Sequence, residues 1–368
     1  MQVSNQMPAM QSLKILPIIL ILFIFKVQGQ ENTNFLNDKL FTLDDNYLPD
    51  GLLKTKSIVL IKMPETGVDH KRGNWKKLAK EIHGYIVTRG IDPVWYFYFD
   101  DIYAGPDLSK SIANSLITRE IENVVILKMI NERSYDLYIT TFNKDEYFFK
   151  HGQKSVKIHA ITTAQINRNL ARLIDRKDLI RENLMVLDAP EYYNQASLIR
   201  GKRFQQYAVD LKLDKLAIPD LKSSGNTLIP VNLPASPNDK NKLSTVDSMQ
   251  VSPDLQSTLK QYPYNYDFLR YNFDEQAIRK KGYPFVLLWL HNTAPMIQSL
   301  LKYPTVNEGA IKTSNQNKVE DRELLVYKFY IKHIYTGDVY LGTTWDADTN
   351  WQKALQNHIE QFNKIIKP

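Results

Sequence analysis

The fold of this chain is decided by the C-terminal stretch LLVYKFYIKHIYTGDVYLGTTW, residues 324–345, which contains two strand patterns and a turn. Tyr327, Phe329 and Ile331 alternate with Lys328 and Lys332, and this period of two is typical of a strand with one buried and one exposed face. A glycine in residues 336–338 interrupts the pattern and tolerates the positive φ of a tight hairpin. We therefore predict an antiparallel hairpin that buries its aromatic face.

The segment after this hairpin predicts a helix with one apolar side. Thr349 and Gln352 have the spacing of a capping box, so the helix is expected to begin here. The apolar residues recur at helical spacing, at Trp351, Leu355, Ile359, Phe362 and Ile366. A hairpin followed by such a helix predicts a sheet with a helix packed on one face.

Earlier in the chain, strands and helices alternate. Apolar runs typical of buried strands occur at residues 57–61, 94–99 and 124–130. Between them, one helix is expected after Asn74 and another from Asp107. This order predicts a parallel sheet with right-handed crossovers. Hairpin strands at 135–141 and 147–159, and a helix capped by Thr162, complete the first module.

The chain is therefore predicted to be an α/β protein of two sheet-and-helix modules, with mixed sheets and hairpin extensions, joined by a flexible linker. Its expected segments are a signal peptide (1–29), a lead-in (30–55), a first module with a helical extension (56–221), a Ser/Asn/Pro-rich linker or long loop (222–261), and a second, smaller module (262–368).

The two modules resemble each other weakly. Arg89-Gly90 precedes the strand at 94–99, and Lys281-Gly282 precedes a similar strand at 285–290. Hairpin strands and a capped helix follow in both modules. Identity is low and the spacings differ, so an internal duplication and an independent α/β layout both remain open.

The N-terminal segment predicts export. Lys14 precedes an apolar run of 11 residues, Ile15 to Phe25, and Val27-Gln28-Gly29 fits a cleavage site. A membrane-spanning helix needs about 20 apolar residues, so no transmembrane anchor is expected after cleavage. The chain has no cysteine, which favours a bacterial periplasm or outer-membrane-associated location, with an extracellular location open. Whether Met1 or Met10 is the start is not determined.

Several classes of function lack support in the sequence. The net charge of +7 comes from interleaved acidic and basic residues, which does not predict a nucleic-acid partner. No cofactor is expected, because Gly201-Lys202 lacks the rest of a phosphate-binding loop. No metal is expected either. Asp346, Asp348 and Asn350 have the spacing that opens a calcium loop, but Trp351 replaces the required glycine, so helix capping is the favoured interpretation.

Ligands of open α/β sheets bind beyond the carboxyl ends of the parallel strands, so the residues after the predicted strands are the site candidates. They are Glu65, Asp100 and Asp101 in the first module and His291, Asn292 and Thr293 in the second. In a catalytic interpretation, His291 acts as a general base with Asp100 or Asp101 across the module interface. Glu65, Asn292 and Thr293 would then bind the ligand.

A structural interpretation explains the same residues without chemistry. Asn292 or Thr293 would cap the next helix, and His291 would fill a turn. Asp100 and Asp101, if extended, would project to opposite faces as solvated turn carboxylates.

Three functional hypotheses follow. The first is an exported, non-enzymatic α/β scaffold or binding protein with a protein partner in the bacterial cell envelope. The second is a periplasmic hydrolase that uses His291 with Asp100 or Asp101. The third is an exported binder of carbohydrates or small molecules. The sequence determines no reaction, substrate or oligomeric state.

Overall fold

Two six-stranded mixed sheets with interspersed helices form the computed structural model of the chain, which confirms the predicted α/β class. The structure describes residues 40–64, 72–150, 152–183, 186–193, 197–219, 221–224, 227–230, 253–269, 275–303 and 324–366. They all belong to one compact unit, Phe35–Pro368. The predicted signal peptide lies outside the described residues.

The first sheet is parallel except for one strand. Its strands are β1 (Phe41–Leu43), β2 (Lys56–Lys62), β3 (Asp92–Tyr98), β4 (Ile121–Asn131), β5 (Ser134–Thr141) and β6 (Gln153–Ala160). Its helices are α1 (Trp75–Thr88), α2 (Pro106–Thr118) and α3 (Thr163–Asp175), and a 3₁₀ helix spans Phe99–Tyr103. The order is β1-β6-β5-β4-β2-β3, in which β5 alone runs antiparallel to its neighbours.

The second sheet follows in the chain. Its strands are β7 (Arg203–Phe204), β8 (Leu216–Pro219), β11 (Tyr266–Leu269), β12 (Phe285–Thr293), β13 (Leu325–His333) and β14 (Val339–Tyr340), and β9 (Leu221–Ser224) pairs with β10 (Thr227–Pro230) as a separate hairpin. The helices are α4 (Pro253–Leu259), α5 (Glu275–Lys280), α6 (Ala294–Leu300) and α7 (Trp351–Ile365), with a 3₁₀ helix at Val209–Lys212.

Both sheets have the same topology. Read from the opposite edge, the second sheet has the order β7-β14-β13-β12-β8-β11, with β13 as the strand antiparallel to its neighbours. Sheet position therefore matches β12 with β4 and β13 with β5. The sequence resemblance between residues 94–99 and 285–290 pairs β3 with β12 instead, whereas β3 matches β11 in sheet position.

Local capping and alternation explain why these elements form. The Asn74 side chain accepts a hydrogen bond from the Lys77 N–H at the start of α1, and Thr162 does the same for Gln165 at the start of α3. Along β2, Ile58 and Leu60 face one core, whereas the intervening residues face another.

The two modules share a central hydrophobic core. One face of each sheet contributes to it, together with α2, α5 and α6. The outer face of the first sheet packs against α1 and α3, and the outer face of the second sheet packs against α4 and α7. The modules therefore contact each other through buried apolar side chains.

Strand β13 is buried on both faces, so the predicted half-exposed strand is wrong. Lys328 is fully buried and Lys332 is 5% exposed. On their face they alternate with Val326 and Tyr330, which belong to the central core. Both lysines are held by carboxylates that sequence alternation does not indicate.

Strand pairing places the start of the second sheet before the predicted linker. Both β7 and β8 precede residue 222 and pair with strands of the second sheet. Within the segment 222–261, Leu255 and Leu259 of α4 are buried in the core beside α7. Residues 231–252 of this segment lie outside the described residues. The segment thus connects β8 with β11 inside the second sheet.

The lead-in also contributes to the fold. It supplies β1, which pairs with β6, and its Leu48, Leu52 and Leu53 are buried in the outer core of the first sheet. Among the described helices, none combines the length and apolar composition needed to cross a membrane.

Candidate functional site

The strand ends predicted for the two modules meet in one place. After β3, the Ala104 carbonyl accepts a hydrogen bond of 2.7 Å from the His291 backbone N–H in β12. Gly105 lies so close that a Cβ there would stand 2.5 Å from the Trp289 carbonyl oxygen. Because β8 pairs only with the first two residues of β12, residues 104 and 105 cover part of the edge that β8 leaves open.

Asp101 connects the modules through a buried polar contact. Its Oδ1 lies 2.6 Å from Arg72 Nη1 and accepts a hydrogen bond from Asn292 Nδ2 at 3.0 Å. Burial alone would lower the pKa of Arg72, but Asp101 and Asp100 raise it above its usual value. The guanidinium stays charged and neutralises the Asp101 carboxylate.

Asp100 is held by a separate cation. Lys62 Nζ lies 2.5 Å from Asp100 Oδ2, and both Lys62 and Arg72 lie over the ring of Tyr98, at 5.7 and 4.3 Å from its centroid. The two aspartates belong to a 3₁₀ helix and are ion-paired. The prediction that these two aspartates lie on extended chain as solvated turn carboxylates is therefore wrong.

The predicted residues of β12 contact the neighbouring strand and the start of α6. The His291 ring stacks on Tyr327, directly opposite it on β13, with centroids 4.0 Å apart and planes 7° apart. His291 therefore lies in a strand and not in a turn. Asn292 Oδ1 accepts from the Thr293 N–H at 2.7 Å, and Thr293 is the N-cap of α6 without a side-chain capping bond. Glu65 lies outside the described residues.

These contacts limit the chemistry that the site can perform. Asp101 and Asn292 make a direct hydrogen bond between the predicted groups of the two modules. A carboxylate that assists His291 as a general base would first have to leave its cation, Lys62 for Asp100 or Arg72 for Asp101.

A second buried polar cluster was not predicted from the sequence. Lys328 Nζ lies 2.5 Å from Asp346 Oδ1 and donates to the carbonyls of Phe329 and Leu341. Asp346 Oδ2 lies 2.9 Å from His358 Nδ1 and 3.0 Å from Gln361 Nε2.

The charges of this cluster follow from burial and proximity. Burial raises the pKa of Asp346, but Lys328 and His358 lower it further, to below its usual value. Burial and Lys328 lower the pKa of His358. Lys328 and Asp346 are therefore an ion pair beside a neutral imidazole.

A third cluster joins the modules at the N-terminus of α2. Lys332 Nζ lies 2.9 Å from each carboxylate oxygen of Asp107 and 2.9 Å from Glu275 Oε1, and Tyr330 Oη donates to Asp107 at 3.3 Å. Asp107 belongs to the first module and the other three residues to the second. One feature of the sequence indicates that these lysines are buried. Val326 and Tyr330 lie on the same face of β13 as Lys328 and Lys332, and a solvent-exposed face would carry fewer apolar side chains.

The calcium-like residues have other roles. Asn350 is the N-cap of α7 and accepts from the Lys353 N–H at 3.0 Å, so the helix begins one residue later than the capping box predicted. Asp348 accepts from the Asn350 N–H at 3.0 Å, whereas Asp346 is buried in its ion pair and is no capping residue. Within the described ranges, no group of three or more acidic, His or Cys side chains could hold a metal ion.

Comparison of the chain with protein-family models, with curated proteins and with solved structures found no match. At the strand ends, Asp100 and Asp101 are each held by a cation and His291 is stacked on the ring of Tyr327.

Proposed function

We propose that the chain is an exported, non-enzymatic α/β scaffold or binding protein of the bacterial envelope. The observation that carries the proposal is the Asp101 contact. At the place where an α/β protein would hold a ligand, Asp101 is neutralised by Arg72 and bonded to Asn292. The strand ends therefore serve to dock the modules, and binding is assigned to the outer surface.

Export is supported by the sequence. The apolar run at residues 15–25 has the length of the apolar region of a signal peptide, and the chain contains no cysteine. A protein partner in the envelope is the expected ligand of such a scaffold.

The common topology of the sheets supports an internal duplication. Six strands occur in the same order, with the same single antiparallel strand, and a helix follows the last strand in both modules. Duplication would supply two large surfaces of similar shape, which suits a scaffold that binds partners on both sides.

The scaffold is tested by purification of the tagged, full-length protein from its native envelope. We expect it to be recovered with the same partner at a fixed stoichiometry in independent preparations, and crosslinked to that partner before lysis. Recovery as a free monomer, without a crosslinked partner, would contradict the proposal.

The hydrolase alternative is tested by His291→Ala in a strain with a measurable deletion phenotype. We expect full rescue, because the His291 ring packs against Tyr327 and its backbone N–H, which alanine retains, makes the contact with Ala104. The exposed His159 provides the matched control His159→Ala. Loss of rescue by the His291 variant alone, at normal protein level and melting temperature, would favour the hydrolase.

A further inference from the structure

A groove runs along the exposed side of α2. One part has a volume of about 350 Å³ and is lined by Trp95, Ser115, Thr118 and Arg119, among others. A smaller part of about 120 Å³ extends to Lys332 and Glu275 of the second module. The two parts share Ser111, Asn114 and Arg200, so they adjoin each other. The larger part is at the lower end of the range for small-ligand pockets, about 300–1,000 Å³.

The groove contains two cations without a counter-ion. Arg119 and Arg200 are both exposed, and within the described part of the chain neither forms an ion pair. The Arg119 guanidinium carbon lies 4.7 Å from the centroid of the Trp95 ring, a cation–π contact that holds this side chain at the groove. Both arginines can therefore make the bidentate contacts that suit carboxylate, sulfate and phosphate groups.

Two further cations, Lys110 and Lys332, line the second-module end of the groove, where Glu275 attracts Lys110. Lys332 is bound by Asp107 and Glu275 at the second-module end. Arg119, in the larger part, and Arg200, which borders both parts, supply positive charge without an ion-pair partner among the described residues. A ligand that uses both ends would carry its anionic group on the arginine side.

Between the charges, the groove wall is formed by short polar side chains. Ser111, Ser115 and Thr118 supply hydroxyls and Asn114 supplies an amide. Ser115 Oγ donates to the Ser111 carbonyl at 2.9 Å and lies 3.4 Å from Tyr193 Oη, and Thr118 Oγ1 donates to the Asn114 carbonyl at 2.9 Å, so both hydroxyls would meet a ligand as hydrogen-bond acceptors. Such a wall matches the hydroxyl groups of a sugar better than the apolar side chains of a peptide.

From this arrangement we infer that the groove binds an acidic saccharide, with its carboxylate or sulfate group on Arg119 and Arg200 and its hydroxyl groups on the polar side of α2. This inference rests on the proposal that the chain is a binding protein. It also gives the modules a common role, because the ligand contacts α2 of the first module and the rim formed by the second.

The test is calorimetric titration of the full-length protein with tetragalacturonate, a chain of four acidic sugars, at low salt. Maltotetraose provides a neutral chain of the same ring number, and inorganic sulfate provides the anion alone. We expect tetragalacturonate to bind at least about tenfold more tightly than either, since charge-assisted hydrogen bonds and sugar contacts act together.

Substitutions of the two arginines test whether tetragalacturonate binds in the groove. Arg119→Gln and Arg200→Gln are each expected to weaken tetragalacturonate binding by about tenfold or more. The matched control is Arg176→Gln, because Arg176 is an exposed C-cap of α3 as Arg119 is of α2. The control is expected to bind within about twofold of the wild type.

Three results would overturn the inference. They are equal binding of maltotetraose, unchanged binding by the double arginine variant, and binding of sulfate or a polyglutamate peptide at least as tight as that of tetragalacturonate. A double variant that loses the saccharide but keeps its envelope partner would support the groove as a separate site. If the protein binds the saccharide but purifies without a partner, the scaffold proposal is contradicted and the saccharide site is not.

Discussion

Replacement of Lys332 by methionine tests whether the buried charges of β13 hold the modules together. The substitution removes the cation and keeps most of the side-chain volume. It leaves the Asp107 carboxylate, whose side chain is 8% exposed, with the Tyr330 hydroxyl at 3.3 Å. Glu275 is less affected, because it is 22% exposed and Arg279 lies 3.9 Å away.

The expected loss of stability follows from this difference between Asp107 and Glu275. Removal of one partner of a buried ion pair costs about 3–5 kcal/mol in the free energy of unfolding. We expect the lower end, about 3 kcal/mol, because the pair borders a groove. Asp107→Asn is expected to cost less, since Lys332 keeps Glu275 at 2.9 Å. The double variant Asp107→Asn/Lys332→Met is expected to recover most of the loss, because no buried charge is left unpaired.

The measurement is urea unfolding followed by circular dichroism, with the midpoint and slope of each variant compared. Lys144→Met provides the control, because Lys144 pairs with Glu122 at the surface, with side chains 53% and 40% exposed, and such pairs contribute about 0–1 kcal/mol. A Lys332→Met variant as stable as this control would refute the reasoning. So would a double variant as unstable as Lys332→Met alone.

Two further predictions concern the module contact and acid stability. Gly105→Ala is expected to destabilise the protein by about 1–3 kcal/mol, because its Cβ would lie 2.5 Å from the Trp289 carbonyl oxygen and 2.8 Å from Leu290 Cδ2. Gly84→Ala in α1, where a Cβ meets nothing within 4 Å, should instead stabilise by about 0.5–1 kcal/mol, and equal melting temperatures for the two variants would contradict the close contact. Burial lowers the pKa of His83 and of His358 below their ordinary value, so the unfolded chain binds more protons than the folded chain as the pH falls below about 6.5. Stability should therefore fall between pH 6.5 and 5, by at most about 1.4 kcal/mol per pH unit for each histidine, and His358→Gln should reduce this slope in thermal unfolding across that range; an unchanged slope would contradict the assignment.

Part of the candidate site was predictable from the sequence. The rule that ligand sites follow the ends of parallel strands selected Asp101 and Asn292, and the structure brings these two residues together. Their roles were not predictable, because Arg72 neutralises Asp101 and His291 packs on a ring of the neighbouring strand. Periodicity indicates which way a side chain points, but it does not identify the partner that it meets.

The sequence by itself determined the element types and the α/β class. Asn74, Thr162 and the continuous apolar run of β2 act within a few residues, so their effects can be read locally. Only the tertiary structure decided that Lys332 is buried. Its partner Asp107 is 225 residues away, just as Asn292 and Asp101 are separated by 191 residues. Whether a charged side chain can be buried depends on which opposite charge the fold brings to it. That pairing is a property of the packed modules and not of any one segment.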